Sequence, residues 1–123
     1  MQLKIALAQF RPSKGDLDAS FERIAECFGR LRTESRTADD RLPDLVVFPE
    51  TAATGYFLEG GVREHALTVD EMLDRLGEAW RRARGVPDGA GAADGRAPPD
   101  THDRLDVAIG FYERHGSGLY NSA

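Results

Sequence analysis

Glu50 is the residue best placed for chemistry. It follows Pro43-Asp44-Leu45-Val46-Val47-Phe48-Pro49, a run whose apolar part has β-branched and aromatic residues and no helical spacing. That run predicts a short strand buried on both faces. Pro49 has no N–H to donate and ends the ladder. Ligand crevices in open α/β sheets lie beyond the carboxyl ends of strands, so Glu50 stands where a carboxylate can work as a general base. Partial burial would lift its pKa toward the working range. The bland alternative is a solvated or salt-bridged acid in a turn. Gly55 lets the chain reverse there, and Tyr56 either lines a pocket at that edge or packs its ring in the core. Glu113 ends a third apolar run as Glu50 ends the second, which raises a paired-carboxylate reading.

Other chemistries find less support. Cys27 is the one cysteine, so an intrachain disulfide is impossible. It falls mid-helix at the margin of an apolar stripe, without the helix N-terminus or adjacent cation in a cleft that lowers a thiol's pKa. It reads as a structural thiol. His65, His102 and His115 show no ligand-like spacing, so no metal site is expected. Gly85-Val86-Pro87-Asp88-Gly89 is neither preceded by a strand nor followed by a helix, unlike a phosphate loop, and there is no serine-centred nucleophile elbow. A formal charge of -5 argues against nucleic acid as a partner. No run approaches the 18 or more apolar residues of a membrane helix, and no secretory signal is visible, so a cytoplasmic location is the default.

The elements that must position these residues alternate between strand and helix. At 123 residues, 41% hydrophobic and 30% charged, the composition is that of one globular domain. Leu3–Phe10 predicts a first strand with apolar residues on both faces. Asp16 or Asp18 caps a helix running to about Glu34, with Phe21, Ile24, Ala25, Phe28 and Leu31 on one face. A polar connector from Glu34 to Leu42 leads to the central strand, and Phe57-Leu58-Glu59-Gly60-Gly61 reads as a flexible loop. Thr68 and Glu71 form a capping box for a second helix with Val69, Met72, Leu73, Leu76, Ala79, Trp80 and Ala83 as its stripe. Arg81, Arg82 and Arg84 suit the dipole at its end, and Gly85 and Pro87 stop it. Residues 85–103, largely Gly, Ala, Pro and Asp, predict a flexible insertion loop. Leu105–Glu113 predicts the third strand, and His115-Gly116-Ser117-Gly118 a hairpin turn into a fourth. This is an α/β fold whose first three strands are parallel.

Phe48-Pro49-Glu50-Thr51-Ala52-Ala53-Thr54-Gly55-Tyr56 resembles the glutamate motif of the nitrilase, or carbon–nitrogen hydrolase, superfamily. Three further segments resemble the same family in the same order. They are Ile5-Ala6-Leu7-Ala8-Gln9, Ala108-Ile109-Gly110-Phe111-Tyr112-Glu113-Arg114, and Leu119-Tyr120-Asn121-Ser122-Ala123. The resemblance implies part of an α-β-β-α sandwich, with residues 1–123 as the amino-terminal part of a single nitrilase-like domain. It implies hydrolysis of an amide, nitrile or carbamoyl group of a small molecule by a Glu-Lys-Cys triad, without cofactor, in a homodimer or higher oligomer. Glu50 matches the triad glutamate. The lysine and cysteine motifs of the family lie beyond the residue matching Asn121, so the 123-residue chain by itself is expected to be inactive. Glu113 matches a position that supports the wall of the site more than it transfers protons. Asn121 either braces the turn or strand through its amide or touches substrate. The competing reading is a small non-catalytic α/β interaction domain, complete as given.

Overall fold

The computed structural model describes residues 2–38, 41–56, 60–85 and 104–123. Along the chain these form β1 (Ile5–Leu7), α1 (Leu17–Ala38), β2 (Leu45–Val47), α2 (Val62–His65), α3 (Val69–Ala83), β3 (Asp106–Ala108), β4 (Phe111–His115) and β5 (Gly118–Ser122). β1, β2 and β3 make a parallel sheet in that order, with Leu7, Val47 and Ala108 side by side at its carboxyl edge. The ladder runs one step further, through Ala8 N to Val47 O at 2.9 Å and Phe48 N to Ala108 O at 2.8 Å. Pro49 then ends it, as its missing N–H requires.

Crossovers of one hand that advance in one direction across a sheet deliver their helices to the same face, and α1 and α3 pack against each other. Asp16 starts α1 by accepting from Ala19 N at 2.9 Å. The capping box starts α3, with Thr68 N donating to Glu71 Oε2 at 2.7 Å and Glu71 N to Thr68 Oγ1 at 3.2 Å. α1 buries Phe21, Ile24 and Phe28, and α3 buries Met72 and Ala79. Between helices and sheet the rings form an edge-to-face chain, Phe10–Phe48, Phe48–Phe28 and Phe28–Trp80, with centroids 6.0, 5.7 and 5.3 Å apart. Each such pair adds about 0.5–1.5 kcal/mol beyond the area it buries. Val46, fully buried, and Phe48 reach this core from β2.

Four expectations need correction. The sheet is not covered on both faces: Leu3, Ile5 and Leu7 are 64%, 50% and 78% exposed, because the described helices occupy only the opposite face. Leu105–Glu113 is not one strand. The parallel sheet ends at Ala108 and β4 pairs with β5 in a separate antiparallel hairpin, so the chain changes sheets at Ile109-Gly110. Helix α1 continues through Ala38 into the segment read as a connector, and the short α2 was not foreseen. Val69 and Leu73, placed on the apolar stripe of α3, are exposed. Phe57-Leu58-Glu59 and nearly all of the predicted loop at 85–103 lie outside the described residues.

The β4–β5 hairpin is fastened to the rest of the protein through Leu67. Leu67 N donates to Tyr112 O at 2.9 Å, and Arg114 N donates to Leu67 O at 2.8 Å. Arg114 also contacts Glu71 at 3.1 Å, joining β4 to the first turn of α3.

Candidate active site

The turn after β2 is built to hold one exposed residue on a buried platform. Thr51, Ala52, Ala53 and Thr54 are almost completely buried, whereas Glu50 is exposed. The partial burial anticipated for the carboxylate is therefore not found. Backbone bonds close the turn: Ala52 N to Pro49 O at 3.2 Å, Thr54 N to Thr51 O at 3.2 Å and Gly55 N to Thr51 O at 2.8 Å. Thr51 takes a φ of 53°, an outlier for a β-branched residue. Such a conformation costs on the order of 1–3 kcal/mol and persists only where the surroundings enforce it. Next to a candidate catalytic acid, it fixes the direction in which Glu50 leaves the strand.

Two glycines show how the platform is enforced. Gly55 has φ 76°, and a Cβ on it would lie 2.8 Å from Lys14 Cα in the loop after β1. Gly15 N donates to Thr54 O across the same contact at 3.5 Å. Gly110, where the chain changes sheets, passes so close that a Cβ would lie 2.9 Å from Thr51 N and 3.1 Å from Glu50 Cα. An isolated glycine inside a strand-like run is the available sequence signal for such a close approach, and the reading of Leu105–Glu113 as one strand passed over it.

The crossing at Gly110 brings the hairpin against Glu50. Asn121 Nδ2 donates to Glu50 Oε1 at 2.6 Å across 71 residues of sequence. An ionised carboxylate only accepts, so the amide must present its nitrogen. In the hairpin register Asn121 stands opposite Tyr112, while Glu113 stands opposite Tyr120. Side chains alternate between faces along a strand, so Glu113 points away from the face that carries Asn121. Its own partner is Ser122, whose Oγ donates to Glu113 Oε2 at 2.7 Å. The structure thus brings Asn121 to Glu50 and sets Glu113 apart with Ser122, a residue the sequence reading did not single out. Tyr56 is 56% exposed beyond Gly55, so its ring is not in the core.

The remaining candidates lie elsewhere. Cys27 lies half-buried in α1, where burial pushes its thiol pKa up against a smaller opposing effect of Arg30. That lowers its thiolate fraction and its nucleophilicity at neutral pH. His65 spans two loops, with Nδ1 2.8 Å from Gly61 O and Nε2 3.1 Å from Gly15 O. Among the described residues no three His, Cys, Asp or Glu side chains gather as a metal-binding set, and no helix is long and apolar enough to cross a membrane.

No protein-family profile matches the chain. A glutamine-dependent NAD(+) synthetase of Acinetobacter baylyi is 31% identical over 85 residues, which is 69% of this chain and 14% of that relative. The solved structure of the glutamine-dependent NAD+ synthetase from Acinetobacter baumannii, in complex with adenosine diphosphate, has the same fold over 97% of this chain and 18% of its own, with a TM-score of 0.51 at 22% identity. The chain thus spans less than a fifth of the length of either protein. With the four motif segments in family order and the glutamate carried beyond a parallel sheet edge, these likenesses make the chain a member of the nitrilase, or carbon–nitrogen hydrolase, superfamily.

Proposed function

We propose that Glu50 is the general base of a carbon–nitrogen hydrolase site that cleaves the side-chain carboxamide of glutamine. The observation that carries this reading is the placement of Glu50. It is an exposed carboxylate just past the carboxyl end of the central strand, on a buried turn, with one oxygen held by Asn121. The choice of glutamine rests on the glutamine-dependent relative. Within the superfamily's range of amides, nitriles and carbamoyl groups, that name points to an amide.

In the proposed reaction a cysteine thiol gives its proton to Glu50 and its sulfur attacks the amide carbon. A lysine ammonium stabilises the oxyanion of the tetrahedral intermediate. The C–N bond breaks as Glu50 returns the proton to the leaving nitrogen, which departs as ammonia. Water, deprotonated by Glu50, then opens the thioester to release glutamate and restore the thiol. Cys27 does not fit the nucleophile's part, being half-buried in α1 with a raised pKa. In this proposal the nucleophile and the lysine come from outside these 123 residues, and the chain alone does not turn over. No cofactor is required by these steps.

The proposal includes the fuller architecture of an α-β-β-α sandwich. The uncovered apolar residues Leu3, Ile5 and Leu7 support it, because a second sheet against them would complete the burial. A homo-oligomer acting on this small amide in the cytoplasm completes the proposal. The decisive experiment measures glutamate and ammonia released from glutamine by the whole gene product and by its Glu50→Gln variant. A loss of at least about a hundredfold is expected for removal of a general base. Turnover within a few-fold of the parent would overturn the assignment.

A further inference from the structure

We infer that Asn121 is the positioning residue for Glu50, selecting which carboxylate oxygen handles protons; this rests on the proposed role of Glu50 as base. A glutamate on an exposed turn has three side-chain torsions to fix, and nothing about exposure favours one rotamer. Here two independent contacts remove that freedom. The backbone is fixed by Gly110 pressed against Glu50 Cα and Thr51 N. The side chain is fixed by the 2.6 Å bond from Asn121 Nδ2 to Oε1, a charge-assisted bond of the stronger kind. Oε2 makes no hydrogen bond to a described residue. The bond therefore leaves Oε2 as the oxygen free to accept and return a proton.

The donor itself is well anchored. Asn121 sits in the β4–β5 ladder opposite Tyr112, and Tyr112 O accepts from Leu67 N. The strand that pairs with β5 is therefore tied to the entry of α3. The neighbouring Ser122 grips Glu113 on the other face of the hairpin, so the side chain on each face of β5 has its own carboxylate. Asparagine suits the task on chemical grounds: its amide donates without itself titrating.

The test has two arms. In the whole gene product, Asn121→Leu keeps the size of the side chain and removes the donor. It should lower kcat for glutamine hydrolysis by about ten- to a hundredfold, the range expected when a reacting group is misplaced by about an ångström. KM and the thermal midpoint should change little, and Asn121→Gln, which restores a donor, should recover part of kcat. In the same whole gene product, NMR should show one dominant Glu50 side-chain rotamer and a downfield Asn121 amide proton. Asn121→Leu should average the rotamers, and Glu50→Gln should move the amide proton upfield. Unchanged kcat in Asn121→Leu, with Glu50→Gln inactive, would overturn the inference while leaving the base assignment standing. Averaged Glu50 rotamers in the parent chain would overturn it without reference to activity. An active Glu50→Gln protein would defeat the assignment of the base itself, and with it the inference.

Discussion

Glu50 and Glu113 look alike in sequence, each an acid at the end of an apolar run, yet the fold gives them opposite surroundings. Glu50 leaves a buried, tightly closed turn and is gripped by Asn121. Glu113 lies within the hairpin on the other face and is gripped by Ser122. Both have one hydrogen-bonding side-chain partner, drawn from adjacent residues of β5. What separates them is the backbone behind each. Thr51 at φ 53° and the crossing of Gly110 fix the stem of Glu50, whereas Glu113 stands in regular extended backbone between β5 and Leu67. A carboxylate acquires a defined direction from the rigidity of its stem as much as from its partner.

The comparison can be broken first at the carboxylates themselves. Glu50→Gln should cost the whole gene product at least about a hundredfold in glutamine turnover, roughly 3 kcal/mol of barrier, and Glu113→Gln only a few-fold. Equal losses, measured by steady-state kinetics, would show that the two faces are not functionally distinct.

A second test removes the support behind one carboxylate and leaves the other alone. Gly110→Ala introduces a methyl 2.9 Å from Thr51 N, so backbone must move. We expect a loss of about 1–3 kcal/mol in stability, as for overpacking in general, with loss of the Asn121–Glu50 contact and survival of the Ser122–Glu113 contact. Denaturant titration and amide chemical shifts would read both. Gly29→Ala in α1, where no atom lies within 4 Å of the added methyl, should instead stabilise by about 0.5–1 kcal/mol.

Acid offers a gentler probe of the hairpin's attachment. Glu71 has a lowered pKa, chiefly because Thr68 N donates to it, with a further contribution from Arg114 of β4. Asp44 is likewise lowered, by Lys4 N and then Arg41. A depressed native pKa contributes stability that is complete above the unfolded-state value and lost as protons bind the native carboxylate. The contribution of these two carboxylates to the unfolding free energy should therefore be flat above about pH 5 and fall as pH drops below roughly 4. Glu71→Gln should flatten part of that fall. A denaturation series with the same slope in parent and variant would remove Glu71 from the account.

The smallest effect concerns Cys27. Cys27→Ala should leave glutamine turnover within a few-fold, since a raised thiol pKa in a helix interior supplies little nucleophile. Loss of turnover by a folded Cys27→Ala protein would show that α1 faces the chemistry.

Local sequence determined much of this protein. The capping box at Thr68 and Glu71, the cap at Asp16, the stop at Pro49 and the apolar stripe of α1 each follow from interactions within a few residues, and each is present in the fold. The parallel order of the first three strands also followed, because intervening helices leave few other connections. Glu50 was legible as a candidate for the same reason: a strand, a proline and an acid in succession. Its grip was not. Asn121 reaches Glu50 across 71 residues, and nothing local to either residue encodes that distance. Tertiary structure decided where Leu105–Glu113 splits between two sheets, because the split depends on the close passage of Gly110 over the Glu50 turn. Among the described residues it also decided which sheet face α1 and α3 cover and which leaves Leu3, Ile5 and Leu7 exposed. The apolar alternation of β1 asks for cover on both faces, and only the packing of α1 with α3 determines which face receives it.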